Sequence, residues 1–422
     1  MNVVITLEQR FEGTPDGAVW SPGPFGYPFW LRYLDVFDHV QVVARVCRVA
    51  DAAPRWVRAD GPGVSFAPVT YYLGPWQYLR RRRRVLADVR GVLGPSDAVI
   101  LRVGSQIADC LEPQIRRGGR PYGVEVVGDP YDVFAPGSVE HPLRPFFRWW
   151  FSRQLRRQCA CACATAYVTE HALQRRYPPR RGEFSTSYSS VELPDAAFKS
   201  PGEEPFSTHY SDVELAATAF VPSNRPRRDT KLPFRLVAVG TLEQLYKAPD
   251  VLLDAIGECS RDGVSLELTW IGGGKHQPQL ETRARALGLG SRVRFLGQVP
   301  AGEAVRAELD QADVFVLPSR QEGLPRAIIE AMARGLPCIS STVGGIPELL
   351  EAEDLVPPGD VGALAVKIRE VVTDPERMVR ASARNLEKAG NYREEVLRER
   401  RTEFYRQVKE RTQSWIDKGG NR

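Results

Sequence analysis

Short runs of apolar and β-branched residues punctuate this chain, each separated from the next by a segment long enough for a helix. In the first half they fall at 2–7, 40–46, 64–69, 97–103, 123–127 and 166–169. In the second they fall at 234–239, 265–271, 292–296, 313–317 and 337–340. A continuous apolar run of this length marks a strand buried on both faces, and helix-length connections mark parallel βαβ units. One doubly wound sheet rarely takes both sets, and 422 residues suit more than one domain. The expected fold is therefore α/β, with two Rossmann-like, doubly wound domains. Their joint is expected at 221–233, where Pro, Asn, Arg and Asp cluster and the periodicity lapses. This assigns 1–220 to the first domain and 234–393 to the second. The charged segment 394–422 has a helical pattern and either closes the second domain or crosses back to the first.

Hydrophobic residues make up 43% and charged residues 26% of the chain, a globular balance that excludes a disordered polypeptide. No apolar run approaches the ~18 residues that span a bilayer. Residues 1–10 lack the basic and apolar segments of a secretion signal, so a cytoplasmic location is expected. Seven cysteines, an odd number, do not make a disulfide framework. Cys159, Cys161 and Cys163 alternate with no His or acidic residue at zinc-ligand spacing, so they read as small packed residues. No metal and no cofactor is implied. The net charge of +5 falls entirely within 1–230, so the first half is the one expected to meet an acidic partner.

The densest chemical signal is Pro318-Ser319-Arg320-Gln321-Glu322-Gly323-Leu324-Pro325, followed by Ala327-Ile328-Ile329-Glu330-Ala331. A strand is expected to end at Pro318 and a helix to start near Pro325, where proline suits the first turn. The free N–H groups and dipole of that helix end suit an anion such as a diphosphate. Gly323 admits a close backbone approach. Glu322 and Glu330 are eight residues apart; on a continuous helix that is about 12 Å, the reach of a nucleoside diphosphate. One carboxylate then accepts from sugar hydroxyls and the other from the ribose diol. Taken alone, two such glutamates equally describe a solvated helix face.

In context the segment resembles the Glu-seven-residues-Glu signature of the retaining glycosyltransferases of family 4, which have the GT-B fold of two Rossmann-like domains facing a cleft. The resemblance implies that Glu322 contacts the donor sugar near its reacting carbon. The backbone at Gly323 and Leu324 holds sugar and diphosphate, Ser319 is a further donor-binding residue, and Glu330 binds ribose. Gly344-Gly345-Ile346-Pro347-Glu348 resembles the segment that follows in the family. Upstream, Val239-Gly240-Thr241-Leu242 and Lys247-Ala248 resemble its Gly-Arg-Leu and Lys-Gly elements, which makes Lys247 the neutraliser of the diphosphate. Two positions depart from the pattern: Thr241 replaces the phosphate-binding Arg, and Ala248 replaces the Gly. Arg320 or Arg326 is the expected source of the missing charge. Gly272, in Ile271-Gly272-Gly273-Gly274, resembles the glycine turn near the nucleoside; a plain strand-to-helix turn is the competing reading. Arg294, in Val293-Arg294-Phe295-Leu296-Gly297, lies on the strand whose end meets the base. The resemblance covers 232–390 with specific motifs and 1–220 only in outline.

In the first half, Asp16-Gly17 stands roughly where the family has a double glycine, although a surface turn explains it as well. Asp129, in Val127-Gly128-Asp129-Pro130, ends a strand where the family often has His-Asp. It is the candidate for acceptor contact or proton acceptance, against a loop-opening Asp before Pro. Two stretches combine aromatics with arginines. Tyr71, Tyr72, Trp76 and Tyr78 precede five arginines at 80–84. Phe146, Phe147, Trp149, Trp150 and Phe151 lie among Arg144, Arg148, Arg153, Arg156 and Arg157. Such stretches suit an anionic membrane surface. Core aromatics beside a solvated charged face are the other reading, and no nucleic-acid motif accompanies them.

The activity implied is transfer of a hexosyl or N-acetylhexosaminyl group from a UDP- or GDP-sugar to an acceptor hydroxyl, with retention. The acceptor is expected to be cell-surface polysaccharide or lipid-linked. The enzyme would be peripheral at the inner face of the plasma membrane. Two rivals share the fold: a sugar-nucleotide 2-epimerase, and a non-catalytic membrane-associated partner protein.

Overall fold

The computed structural model describes residues 1–135, 141–189, 193–198 and 233–420. Their contacts separate into two units, Met1–Ser190 with Leu397–Arg422, and Val191–Val396. The joint expected at 221–233 lies, apart from Pro233, outside the described residues. Residues 193–198, read from sequence as part of the first half, group with the second unit. Leu193 bridges Arg393, and the Arg334 guanidinium donates to the Ala197 carbonyl (3.3 Å).

The first unit holds one sheet of β1 (Asn2–Gly13), β2 (Val19–Ser21), β3 (His39–Arg48), β4 (Val57–Arg58), β5 (Val64–Val69), β6 (Ala98–Val103), β7 (Gly123–Val126), β8 (Ala164–Tyr167) and β9 (Phe184–Ser187). Its body is parallel in the order β5-β3-β1-β6-β7-β8-β9. β1 pairs with β6 from Val3 to Thr6. Past an irregularity between Thr6 and Arg10 it runs on beside β3, while β2 and β4 add an antiparallel flap. The run expected at 166–169 sits two residues earlier, because Ala164, Thr165 and Ala166 pair with β7 yet carry too little apolar bulk to stand out.

Helices α1 (Tyr27–Leu34), α2 (Gly74–Val89), α3 (Gln106–Arg117), α4 (Pro130–Val133), α5 (Arg144–Cys161) and α6 (Ala172–Arg176) complete the winding. Val85 and Val89 of α2, Ile107 and Leu111 of α3 and Leu155 of α5 share one core with Val124 and Val126 of β7. Glu125 alternates to the other face of the strand, where it meets α1.

The second unit is a parallel sheet, in the order β12-β11-β10-β13-β14-β15, of β10 (Phe234–Val239), β11 (Leu266–Ile271), β12 (Val293–Phe295), β13 (Val314–Leu317), β14 (Cys338–Ser341) and β15 (Leu355–Val356). Its helices among the described residues are α7 (Pro249–Arg261), α8 (Gln277–Ala286), α9 (Glu303–Asp310), α10 (Arg326–Ala333), α11 (Val361–Thr373) and α12 (Pro375–Ala389), the last of which packs against α10 and α11. The last helix, α13 (Glu394–Asp417), returns to the first unit from Leu397 onward. Tyr405 of α13 stacks on Tyr33 of α1 (ring centroids 4.5 Å apart).

Each sheet reverses its winding once, between β1 and β6 in the first unit and between β10 and β13 in the second. Such switch points leave a crevice at the carboxyl ends of the two strands, where doubly wound folds take ligands. Among the described residues no helix is long and apolar enough to cross a membrane.

Candidate functional site

The second unit's switch point gathers the charged residues singled out above. Lys247 closes a short turn, Leu245–Lys247, after β10, and Glu322 lies in the loop after β13. The Lys247 ammonium donates to Glu322 Oε1 at 2.5 Å, and the buried Ser319 hydroxyl donates to the same oxygen at 2.7 Å. Both charged side chains are largely withdrawn from water, 14% and 7% exposed. Among the described residues Glu322 Oε2 carries no hydrogen bond, so one carboxylate oxygen holds the lysine and the serine while the other has no protein donor.

Backbone geometry holds this pair in place. Gly344 has φ +55°, and a Cβ there would lie 2.0 Å from the Glu322 carbonyl oxygen. The Gly345 amide donates to the Gly323 carbonyl at 2.6 Å. A Cβ on Gly323 would meet nothing within 4 Å, so the protein's own packing requires the glycine at 344 and leaves 323 facing open space. Behind the pair, Gly272 has φ +122° and presses against the Gly240 carbonyl, where a Cβ would stand 2.2 Å away. Gly240 itself lies against the Lys247 side chain. Thr241, in place of the resembled arginine, braces its own turn, since its hydroxyl accepts from the Glu243 amide at 3.2 Å. Ala248 has φ +54°, a left-handed conformation costing an L-residue about 1 kcal/mol. The position therefore takes a backbone conformation that glycine adopts more readily.

The other residues read from this stretch are distributed differently from the expectation. Helix α10 begins at Arg326, with Pro325 as its N-cap. Glu322 therefore precedes the helix, and the 12 Å separation argued from a continuous helix does not apply. Glu330 sits on α10, where burial raises its pKa above the usual carboxylate value, against the pull of Arg326 and Arg306. Arg320 grips Asp250 with both guanidinium arms (2.9 and 2.7 Å) and also donates to the Leu245 carbonyl; its charge is matched within the protein. Arg326 stands 3.8 Å from Glu330. Arg294, on β12, is directed to Glu308 of α9 at 2.8 Å and is mostly exposed. Leu324 is half-buried beside Gly323.

In the first unit, Asp129 caps the short helix α4 by accepting from the Tyr131 amide (2.9 Å). It also accepts from the Tyr177 hydroxyl at 2.5 Å and from the Arg176 guanidinium, and it is buried. A carboxylate held by three donors is a positioning group more than an open base. Asp16 and Gly17 form the exposed tip of the β1–β2 hairpin: Gly17 has φ +86°, and Asp16 accepts from the Thr14 hydroxyl and the Ala18 amide. The switch point lies earlier, at Glu8. Its carboxylate takes bonds from the Tyr72 hydroxyl (2.7 Å), the Ser105 hydroxyl (3.0 Å) and the Ile107 amide at the start of α3 (3.3 Å), with Arg45 at 3.2 Å. Sequence reading passed over Glu8; an acid that directly follows the apolar run at 2–7 was the available signal. Of the alternating cysteines, Cys159 and Cys163 are buried as expected and Cys161 is exposed.

Comparison with known proteins bears on both units. Residues 233–374 match the family model described as glycosyl transferases group 1. Protein CapJ of Staphylococcus aureus is 24% identical over 82% of this chain and 81% of its own length. The putative colanic acid biosynthesis glycosyltransferase WcaL of Escherichia coli is 36% identical over 35% of this chain, an alignment spanning 38% of WcaL. Among solved structures, sucrose-phosphate synthase of Thermosynechococcus elongatus superposes with a TM-score of 0.65 at 17% identity, covering 97% of this chain and 99% of that one. Anabaena HepE in complex with UDP-glucose gives 0.61 at 16% identity, covering 96% and 98%. The fold is GT-B, and the comparisons together support a glycosyltransferase.

Proposed function

We propose that the protein is a retaining glycosyltransferase of family 4 that moves a hexose-type sugar from a UDP- or GDP-sugar to an acceptor hydroxyl during assembly of cell-surface polysaccharide or glycolipid. The observation that carries this reading is the Lys247–Glu322 pair at a switch point, with Glu322 Oε2 left for a hydroxyl. Support for the donor class comes from HepE, whose structure holds UDP-glucose. Support for the product class comes from WcaL, named for colanic acid biosynthesis.

In this reading Glu322 orients the sugar and Lys247 faces the diphosphate, with the amide end of α10 adding a second positive field. The bond from the anomeric carbon to the phosphate oxygen breaks, and its electron pair leaves with the diphosphate. The acceptor oxygen bonds to the same face of the carbon, and its proton passes to the departing phosphate oxygen. Preorganised positive groups lower the barrier by matching the charge that grows on the leaving group. Glu330 takes the ribose diol. Asp129 acts by positioning, and the acceptor is read near Glu8 and Ser105. An anionic membrane surface is the further partner. The comparisons favour neither an epimerase nor a non-catalytic protein.

Mass-spectrometric screening of UDP-, GDP- and ADP-sugars for donor hydrolysis, with wild type and Glu322→Ala, tests the proposal. One donor turned over by wild type and at least ~100-fold more slowly by the variant, the scale of a lost transition-state contact, is the expected result. Equal turnover in the two proteins would overturn it. Nuclear magnetic resonance of the transferred sugar's anomeric proton then reads retention or inversion.

A further inference from the structure

The first unit's switch point is filled from within the chain. Strand β1 does not end where β6 leaves it. Its pairing with β6 stops at Thr6, and past the irregularity between Thr6 and Arg10 it continues beside β3 to Gly13. Irregularities of this kind re-aim side chains, and Glu8 falls inside this one. Its carboxylate lies against the start of α3, whose N-cap is Ser105. Among the described residues four donors meet it. Oε1 takes the Tyr72 hydroxyl at 2.7 Å and has an Arg45 guanidinium nitrogen at 3.2 Å. Oε2 takes the Ser105 hydroxyl at 3.0 Å and the Ile107 amide at 3.3 Å.

A guanidinium, two hydroxyls and an amide that converge on two oxygens are the donors a protein uses to hold an anion, and bonds to an ionised oxygen are the strong ones. The set is fixed from behind. Arg45, 11% exposed, also donates to the carbonyls of Tyr72 (2.9 Å) and Glu8, and its guanidinium lies 4.6 Å from the Tyr72 ring centroid. Tyr72 and Ser105 are buried, and the Ser105 hydroxyl accepts from the Ala108 amide at 3.2 Å. The carboxylate they hold is not sealed in: the Glu8 side chain is 31% exposed. A ligand arriving at the carboxyl ends of β1 and β6 therefore meets it.

A carboxylate offers about four lone-pair sites, so Glu8 is saturated by its donors and is no base for an acceptor hydroxyl. Its charge cancels that of Arg45. A phosphate brought to this place finds its donors taken and a like charge in its path, the arrangement by which proteins turn away a wrong partner. An uncharged sugar meets no such repulsion. We propose that Glu8 is a specificity-determining residue: its carboxylate stands where an acceptor's phosphate would bind, so the first unit takes a sugar that is uncharged at this place and rejects sugar phosphates. The acceptor role rests on the glycosyltransferase reading; the occupation of an anion site by Glu8 stands on the geometry alone. Removing the carboxylate leaves Arg45, Tyr72, Ser105 and the Ile107 amide as an empty set of donors, which a free anion then fills.

Titration calorimetry of the full chain with inorganic phosphate tests it, in wild type, in Glu8→Ala and in Glu8→Ala with Tyr72→Phe. Glu8→Ala should show a phosphate site that wild type lacks. Adding Tyr72→Phe should weaken that site about tenfold, the scale of one bond to a charged group. Phosphate bound by the second unit is common to all three proteins and cancels in the comparison. Formate, a carboxylate small enough to replace the one removed, should raise the denaturant midpoint of Glu8→Ala more than that of wild type, which covers the case of a variant that folds poorly. With the donor found by the hydrolysis screen, monosaccharides and their phosphate monoesters are then offered as acceptors, and wild type should transfer to no sugar phosphate. Transfer by wild type to a sugar phosphate as fast as to its uncharged parent would overturn the proposal. So would equal phosphate binding in wild type and Glu8→Ala, or a Glu8→Ala chain that gains neither phosphate binding nor stability from formate. A new phosphate site in Glu8→Ala, in a protein that turns over no donor, would overturn the glycosyltransferase reading and the acceptor role with it, and leave Glu8 as the occupant of an anion site.

Discussion

Lys247 and Glu322 show why a charge placed by sequence has to be read with its partner. Each was assigned its own half of a donor; in the folded chain each is the other's counterion, 14% and 7% exposed. Removing one side of a buried pair strands the other and costs about 3–5 kcal/mol. Lys247→Met and Glu322→Gln should therefore each lower the unfolding midpoint of the second unit in denaturant. The double variant should recover most of that loss, because no charge is stranded, yet stay inactive in donor hydrolysis. Recovery of activity in the double variant would show that the pair is structural only. Glu330 offers a pH test. Burial, the dominant cause, raises its pKa above 4.5 despite Arg326 and Arg306, so the folded state holds the proton to a higher pH than the unfolded one. Its contribution to stability is thus greatest at low pH and declines as pH rises through the raised value. Donor binding through the ionised carboxylate should run the opposite way: the donor Kd rises as pH falls, beginning above the usual carboxylate range. Titration calorimetry should show that dependence in wild type and lose it in Glu330→Gln.

At the scale of elements, α13 was legible as a helix and ambiguous as to which body it joined. The answer lies on β7. A Cβ on Gly123 would stand 2.5 Å from the Val408 side chain and 2.9 Å from that of Phe404, so the strand leaves a groove that α13 fills. Next along, the buried Glu125 takes Arg102 (2.7 Å) and the hydroxyls of Tyr33 (2.9 Å), Tyr188 (2.7 Å) and Tyr405 (3.2 Å). Burial pushes its pKa upward, but Arg102 and the tyrosines outweigh it and hold the carboxyl below its usual value. That stability is present above the ordinary carboxylate pKa and is lost as pH falls through the depressed one. Phe404→Ala, at a fully buried position, should cost the first unit about 3–5 kcal/mol, and Tyr405→Phe about 1 kcal/mol. Denaturant unfolding read from first-unit fluorescence checks both. The flap of β2 and β4 escaped sequence reading because strands of three and two residues are too short to show a period.

For the whole molecule, two units with separate cores should unfold in separable steps, and a nucleotide sugar should stabilise mainly the second. At a hundredfold excess over its Kd the gain is about 2.7 kcal/mol; calorimetry with and without UDP-glucose or GDP-mannose should show one transition moving. Equal shifts of both would place donor contacts in both units. The chain's local order was readable because buried parallel strands are continuous apolar runs and each run needs only its own residues to declare itself. The turn after β13 in the second unit was readable for the same reason, since Ser319, Glu322 and Gly323 lie within one loop. What the sequence alone did not decide were relations between distant segments: that Lys247 would meet Glu322, that Arg320 would turn to Asp250, and that Glu8 and Ser105 would share a switch point. Each of those depends on which strands become neighbours. That choice is made by the packing of whole sheets and leaves no period or spacing in the residues it brings together.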